Sequence, residues 1–174
     1  MATMVTSSMT VAPMLKEFRD ETVITKRSLD RVPGDKLSWK PHSKSMTLGQ
    51  LAWHVATIPG GIARIAQPDS FDVLKGTFVP AQPNSLQEIF SAYEQSVSEA
   101  EQFLGGLTDE RAGANWRLMR GDRELSSQPR IEFVRSVMLN HWYHHRGQLS
   151  VYLRLLEVPL PVTYGPSADE SPFA

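Results

Sequence analysis

The chain has 174 residues, of which 41% are hydrophobic and 21% charged, a composition typical of a globular protein that excludes wholesale disorder. Its 18 lysine and arginine residues and 19 aspartate and glutamate residues leave a net charge of -1, and no basic block occurs, so nucleic acid is not an expected partner. There is no cysteine, which excludes disulfides, a thiolate nucleophile and cysteine-ligated metals, so that any metal must be held by histidine, aspartate or glutamate.

The first residues lack the features of a secretory signal. The segment MATMVTSSMTVA has no cationic start and no apolar core, so it does not read as a secretory signal. We expect residues 1–12 to be a loose leader and residues 13–174 to form a single domain. The apolar runs are far shorter than the roughly 20 residues that cross a bilayer, so we expect a cytoplasmic protein without a membrane partner.

Helical periodicity dominates the first third of the chain. It predicts a first helix over residues 13–31, which opens with a proline tolerated in a first turn and ends before a Pro-Gly pair. A second helix is predicted over residues 47–67. Thr47 and Gln50 fit a capping box at its start, because their side chains can satisfy backbone amides that lack partners in the first turn.

The rest of the chain predicts two more helices. A proline-rich connecting loop over residues 67–84 leads to a third helix over residues 85–105, which ends at a glycine pair. Apolar and polar residues alternate weakly over residues 116–125, and this pattern predicts a short hairpin or an irregular loop. A fourth helix over residues 129–157 has no internal breaker. Four amphipathic helices predict an all-α four-helix bundle, a fold whose core commonly houses metal sites built from facing side chains.

One of the five histidines lies on the apolar face of the second helix. His54 follows Leu51 by three residues and precedes Ile58 by four, which is the spacing of side chains on one helix face. We therefore expect it to point toward the core or its edge. The apolar positions of this face are Leu48, Leu51, Val55, Ile58, Ile62 and Ile65.

Two further histidines interrupt the apolar stripe of the fourth helix. His141 and His145 are four residues apart, so their side chains stack on one face and can ligate one ion together. No glutamate follows the first of them, which excludes the HExxH metalloprotease motif. With His54 they would provide three neutral imidazoles and leave coordination positions open, as in catalytic metal sites. The stripe consists of Val134, Met138, His141, His145, Leu149 and Tyr152.

Alternatives remain open for the histidines. A buried histidine such as His54 is often bonded to a backbone carbonyl rather than to a metal. His144 is also close enough to pair with His141, but the apolar stripe favours His145 as the second ligand. We therefore expect His144 either to contact a ligand without binding the metal or to lie at the surface. His42 follows a proline in a loop and is expected in solvent.

The neighbours of the histidines have both a structural and a functional interpretation. Three carboxylates of the first helix form a solvated face, or one of them reaches the site as a base; they are Glu17, Asp20 and Glu21. Three aromatic residues pack in the core or line a pocket for an apolar or planar substrate; they are Trp142, Tyr143 and Tyr152.

Three segments resemble the DinB family of helical bundle proteins, also called DinB/YfiT-like. They are WKPHSKSMTLGQLAWHVA at the second helix, MLNHWYHHRGQLSVYLRL on the fourth, and VPLPVTYGPSADE near the C-terminus. Their order and spacing match from about residue 14 to the end. The family's metal ligands are one histidine on the second helix and an HxxxH pair on the fourth, and the matching positions here are His54, His141 and His145.

This resemblance implies metal-dependent chemistry. DinB-like proteins include transferases that use low-molecular-weight thiols such as bacillithiol or mycothiol, and relatives isomerise or hydrolyse small substrates. It leads us to expect one divalent ion, zinc or nickel, that activates a thiol for attack on a small electrophile. The alternatives are a hydrolase of a small amide or ester and a non-catalytic metal-binding stress-response protein. The resemblance also implies a homodimer and no DNA-binding activity.

Overall fold

A computed structural model describes residues 10–173 of the chain. Most of them lie in helices, with a small sheet between the third and fourth long helices. The long helices are α1 (Val11–Leu29), α2 (Leu48–Ala66), α3 (Leu86–Gly105) and a continuous last helix made of α5 (Arg130–Phe133), a π-helical segment (Val134–Asn140) and α6 (His141–Leu155). The shorter elements are α4 (Asp109–Gly113), β1 (Ser70–Asp72), β2 (Asn115–Arg120), β3 (Arg123–Pro129) and the 3-10 turns Gly34–Lys36 and Val73–Lys75.

The first helix begins two residues earlier than predicted, and the second begins at its predicted capping box. α1 begins at Val11, so the last two residues of the expected leader are helical, while residues 1–9 lie outside the described part of the chain. The capping box of α2 is confirmed. The Thr47 hydroxyl oxygen accepts the Gln50 amide N–H at 3.0 Å, and the Gln50 side-chain oxygen accepts the Thr47 N–H at 3.1 Å.

The four long helices enclose the hydrophobic core. α1 and α2 each pack against both α3 and α6, so the helices form a closed ring. The fully buried apolar side chains include Phe18, Leu29, Leu48, Leu51, Ile89, Leu104, Met138, Leu139, Trp142 and Leu149. Removing apolar surface from water, worth roughly 25 cal/mol per Å², is the main force that holds the ring together. None of the helices within residues 10–173 is both long and apolar enough to cross a membrane.

The segment between α4 and the last helix forms a hairpin. Strands β2 and β3 pair antiparallel, with Arg120 opposite Arg123 at the turn. Gly121 begins the turn with φ of 58°, a left-handed conformation that glycine adopts easily and that type II′ hairpin turns require at this position. Of the two alternatives for residues 116–125, the hairpin is therefore confirmed and the irregular loop is not.

A third strand comes from the segment expected to be a connecting loop. β1 pairs in parallel with β2, and the Asp72 carboxylate accepts the backbone N–H groups of Leu74 at 3.0 Å and Gly121 at 3.1 Å. The all-α expectation is thus not confirmed, because the fold is mostly helical with a small three-stranded sheet. A three-residue strand is too short to show alternation in a sequence, which explains why residues 67–84 read as a loop.

Candidate metal centre

Three histidines from α2 and α6 meet at one point of the fold. His54 lies in α2, and His141 and His145 lie one turn apart in α6. One ring nitrogen of each lies within 4.8 Å of the others, and the Nε2 atoms of His54 and His141 are 3.1 Å apart. The ring centroid of His145 is 4.4 Å from each of the other two centroids. The structure therefore brings together all three histidines that the sequence singled out.

A buried hydrogen bond holds α6 against α2 beside these histidines. Pro59, inside α2, has no N–H to donate to the carbonyl of Val55 four residues earlier. That carbonyl instead accepts the indole N–H of Trp142 at 2.7 Å. Because Val55 follows His54 and Trp142 follows His141, the bond fixes the helix contact at the histidines themselves.

A π-helical segment leads directly into His141. It covers Val134–Asn140, and the following α6 carries both histidines of the HxxxH pair. A π turn holds more residues than an α turn, so it rotates every later side chain about the helix axis. The register in which His141 and His145 face α2 is therefore set in part by this segment.

The environment of the three rings keeps them neutral. Burial, followed by repulsion from the other two imidazoles, lowers the pKa of His54 to about 4. Burial is also the main cause that lowers the pKa of His145 to about 4, and it lowers the pKa of His141. Metal ligation requires neutral imidazoles, so all three rings are in the required protonation state near neutral pH. Three neutral nitrogen donors of this kind fit a divalent metal ion.

One of the three rings has a hydrogen-bond partner on its outer side. The Nδ1 atom of His145 lies 2.7 Å from the side-chain oxygen of Gln148, three residues later on α6. An amide oxygen only accepts hydrogen bonds, so the contact is a hydrogen bond in the tautomer that carries the ring proton on Nδ1 and leaves a lone pair on Nε2. This leaves Nε2 of His145 free to bind an ion.

The other two histidines lie outside this cluster. His144 is exposed, although its ring centroid is 4.9 Å from that of His145. His42 is exposed in the loop before α2, where its Nδ1 accepts the backbone N–H of Lys44 at 3.1 Å. His42 is exposed as expected, and His144 has the surface position that was one of its two alternatives.

The carboxylates of α1 are paired elsewhere. Glu17 accepts the Tyr143 hydroxyl at 2.8 Å and the Arg135 guanidinium at 2.9 Å. Asp20 pairs with Lys16 at the surface. Neither Glu17 nor Asp20 belongs to the histidine cluster found within residues 10–173.

Of the three α1 carboxylates, Glu21 departs most from the expected solvated face, because it is buried. It is 7% exposed and accepts the guanidinium of Arg146 at 2.5 Å, and Arg146 is itself 4% exposed. Tyr164 from the C-terminal segment bonds both partners. Our sequence interpretation missed this buried ion pair. The available signal was a pair of opposite charges, Glu21 and Arg146, at helical spacing from buried apolar residues of α1 and α6.

The three aromatic residues near the histidines have different roles. Trp142 is fully buried, so core packing is its role. Tyr152 donates from its hydroxyl to the Met46 carbonyl at 3.3 Å. Tyr143 lines a cavity of about 250 Å³ beneath the C-terminal segment, together with Arg146. The three clustered histidines do not line this cavity.

Comparison with known proteins places the chain among DinB-like sequences. The sequence model of the DinB family matches residues 3–172. The protein YrdA of Bacillus subtilis strain 168 is 29% identical over 175 residues, which cover 92% of each chain.

Two solved structures have a similar fold. A DinB-like protein from Bacillus cereus ATCC 10987 has a TM-score of 0.67 and 26% identity, over 86% of this chain and 95% of its own. A DinB-like protein from Bacillus subtilis, YjoA, has a TM-score of 0.66 and 19% identity, over 86% of this chain and 96% of its own. At that lower identity, the similarity to YjoA shows the fold alone.

Proposed function

This chain belongs to the DinB family, and on that premise we propose that it is a metal-dependent transferase that joins a low-molecular-weight thiol to a small electrophile. The observation that carries the proposal is the meeting of His54, His141 and His145, with one nitrogen of each within 4.8 Å of the others. The donor set suits one zinc or nickel ion.

The histidines support this chemistry through their protonation and their placement. The three imidazoles would hold a divalent ion, and that ion would supply Lewis-acid chemistry that lowers the pKa of a thiol or of water. Burial holds the rings neutral, and the packed helices α2 and α6 hold their spacing without a flexible loop. Glu17 and Glu21 are engaged with tyrosine and arginine and Asp20 with Lys16, so the proposal assigns them no proton transfer.

The proposed reaction is balanced without an added oxidant or reductant. With an epoxide as the electrophile, the sulfur of the thiol forms a bond to a ring carbon and the carbon–oxygen bond breaks. The proton of the thiol ends on the oxygen that is released from the ring. The reaction needs a reduced thiol, which fits a cytoplasmic location, where such thiols are kept reduced.

The experiment is a screen of low-molecular-weight thiols against epoxides and activated halides. Zinc- or nickel-loaded protein should accelerate at least one pair, whereas metal-free protein and a His145→Ala variant should not. Turnover of a small amide or ester without any thiol would instead show that the same site is a hydrolase. Metal binding with no turnover of any substrate would favour a non-catalytic metal-binding protein.

A further inference from the structure

We propose that Gln148 is a positioning residue that fixes the tautomer of His145 and thereby sets the affinity of the histidine cluster for a divalent ion. The inference rests on the proposed metal-binding function and extends it to a residue outside the ligand set. Neither the helical stripe nor the family motif, as we matched them, assigns a role to Gln148.

The geometry of the pair defines what Gln148 can do. Its side-chain oxygen lies 2.7 Å from Nδ1 of His145, and the two residues are three positions apart on α6, so the contact needs no other element. The oxygen accepts the Nδ1 proton, which holds the ring in the tautomer whose Nε2 is unprotonated. The same hydrogen bond restrains rotation of the ring.

Among the described residues, the other two rings have no such partner. Within residues 10–173, the rings of His54 and His141 hydrogen-bond only to each other, through the 3.1 Å contact between their Nε2 atoms. Two neutral rings in that contact must place a proton on one of the two nitrogens, and binding of an ion displaces it. Of the three histidines, His145 is therefore the one whose metal-binding tautomer is held by a neighbouring side chain before an ion binds.

Burial of His145 increases the expected effect of losing the Gln148 hydrogen bond. His145 is 9% exposed, so water has little access to replace a lost partner at Nδ1. Groups that orient a metal-ligating histidine from its outer side typically change metal affinity by about 10- to 100-fold when they are removed. We expect a loss of that size when Gln148 can no longer accept.

The experiment compares three variants with the wild-type chain. Gln148→Met removes the acceptor but keeps the length of the side chain and its helix propensity, and Gln148→Glu keeps an acceptor oxygen. Gln102→Met is the matched control, because Gln102 is an exposed glutamine of α3 whose amide donates to Ser98. Zinc affinity is measured by competition with a chromophoric chelator. The His145 tautomer is measured in metal-free protein from its ¹⁵N chemical shifts.

We expect Gln148→Met to weaken zinc binding by about 10- to 100-fold and to shift the His145 proton away from Nδ1. Gln148→Glu should keep the proton on Nδ1 and bind zinc at least as tightly as the wild type, because a carboxylate raises the basicity of the ring, and Gln102→Met should remain close to the wild type in both measurements. Wild-type zinc affinity or a wild-type tautomer in Gln148→Met would overturn the proposal. If the wild-type chain binds no zinc, the proposed function fails, and the tautomer measurement alone then decides whether Gln148 orients His145.

Discussion

The protonation of the clustered histidines contributes to the response of this protein to acid. Folding lowers the pKa of His54 and of His145 to about 4, mainly through burial, whereas the same side chains titrate at 6.5 when unperturbed. Between these values the unfolded chain binds more protons than the folded chain, so folding stability rises with pH. Stability is therefore lost as pH falls through this window, and a bound metal ion adds to the loss because its ligands must stay neutral.

We predict that the metal-free protein becomes less stable from about pH 7 down to about pH 4 and that metal occupancy falls over the same interval. Urea denaturation at several pH values measures the first quantity, and elemental analysis after dialysis measures the second. The His54→Asn and His145→Asn double variant is the control, and its stability should depend less on pH. Metal occupancy that stays constant to pH 4 would argue for carboxylate ligands instead.

Each histidine of the cluster is expected to be required for metal binding. His141→Ala removes one of three donors and should release the ion while the helical content remains, because the half-buried ring contributes little to the core. Elemental analysis and far-UV circular dichroism measure the two outcomes. His42→Ala removes an exposed histidine from a loop and should leave metal content unchanged. Full metal content in His54→Ala, His141→Ala and His145→Ala would refute the ligand assignment.

At the scale of helices, the proline inside α2 and the tryptophan of α6 act on the same carbonyl. Trp142→Phe removes the N–H that bonds the Val55 carbonyl, and burial of that carbonyl without a partner costs roughly 1–3 kcal/mol. Pro59→Ala restores a backbone N–H that can bond the same carbonyl within α2. We therefore predict that Trp142→Phe destabilises the protein less when Pro59→Ala is also present.

A double-mutant cycle tests this coupling. Urea denaturation of the wild type, the two single variants and the double variant measures the four stabilities. Additive effects of the two substitutions would show that Val55 is not the shared acceptor.

The end of the last helix carries an unfavourable residue. Glu157 adopts φ of 56°, a left-handed conformation that suits glycine. The N–H of Glu157 bonds the Arg154 carbonyl at 3.0 Å and the N–H of Val158 bonds the Leu153 carbonyl at 3.0 Å, which is the Schellman pattern.

We predict that Glu157→Gly raises the free energy of unfolding by about 1 kcal/mol, since it relieves the left-handed conformation and removes a negative charge from a helix C-terminus. Glu157→Val should lower it. Thermal denaturation of the two variants beside the wild type decides the sign, and a destabilising Glu157→Gly would contradict the prediction.

At the scale of the whole molecule, we predict a homodimer, which the DinB resemblance implies. Helix α6 leaves two large apolar side chains exposed, Val151 at 58% and Leu155 at 56%. Exposed apolar surface of this kind is common at contacts between subunits. Sedimentation velocity at micromolar concentration and after serial dilution measures the mass. A single species at the monomer mass of 19.5 kDa would contradict the dimer.

Local sequence patterns determined the long helices and the three histidines of the site. A capping box, a proline or a glycine pair acts on residues within a few positions, and an apolar stripe repeats every three or four residues, so both can be read without a fold. For the same reason His54 could be assigned to the face of α2 that meets the other long helices, and the spacing of His141 and His145 placed them on one face of α6.

Only the tertiary structure decided which distant residues meet. The strand β1 forms because β2, more than 40 residues later, offers backbone partners, and three residues alone carry no such information. The pairing of Glu21 with Arg146 likewise joins two residues of different helices that are 125 positions apart in the chain. Each contact joins polar groups of two elements whose loss of water must be offset by hydrogen bonds, and those partners exist only in the packed fold, which local periodicity does not encode.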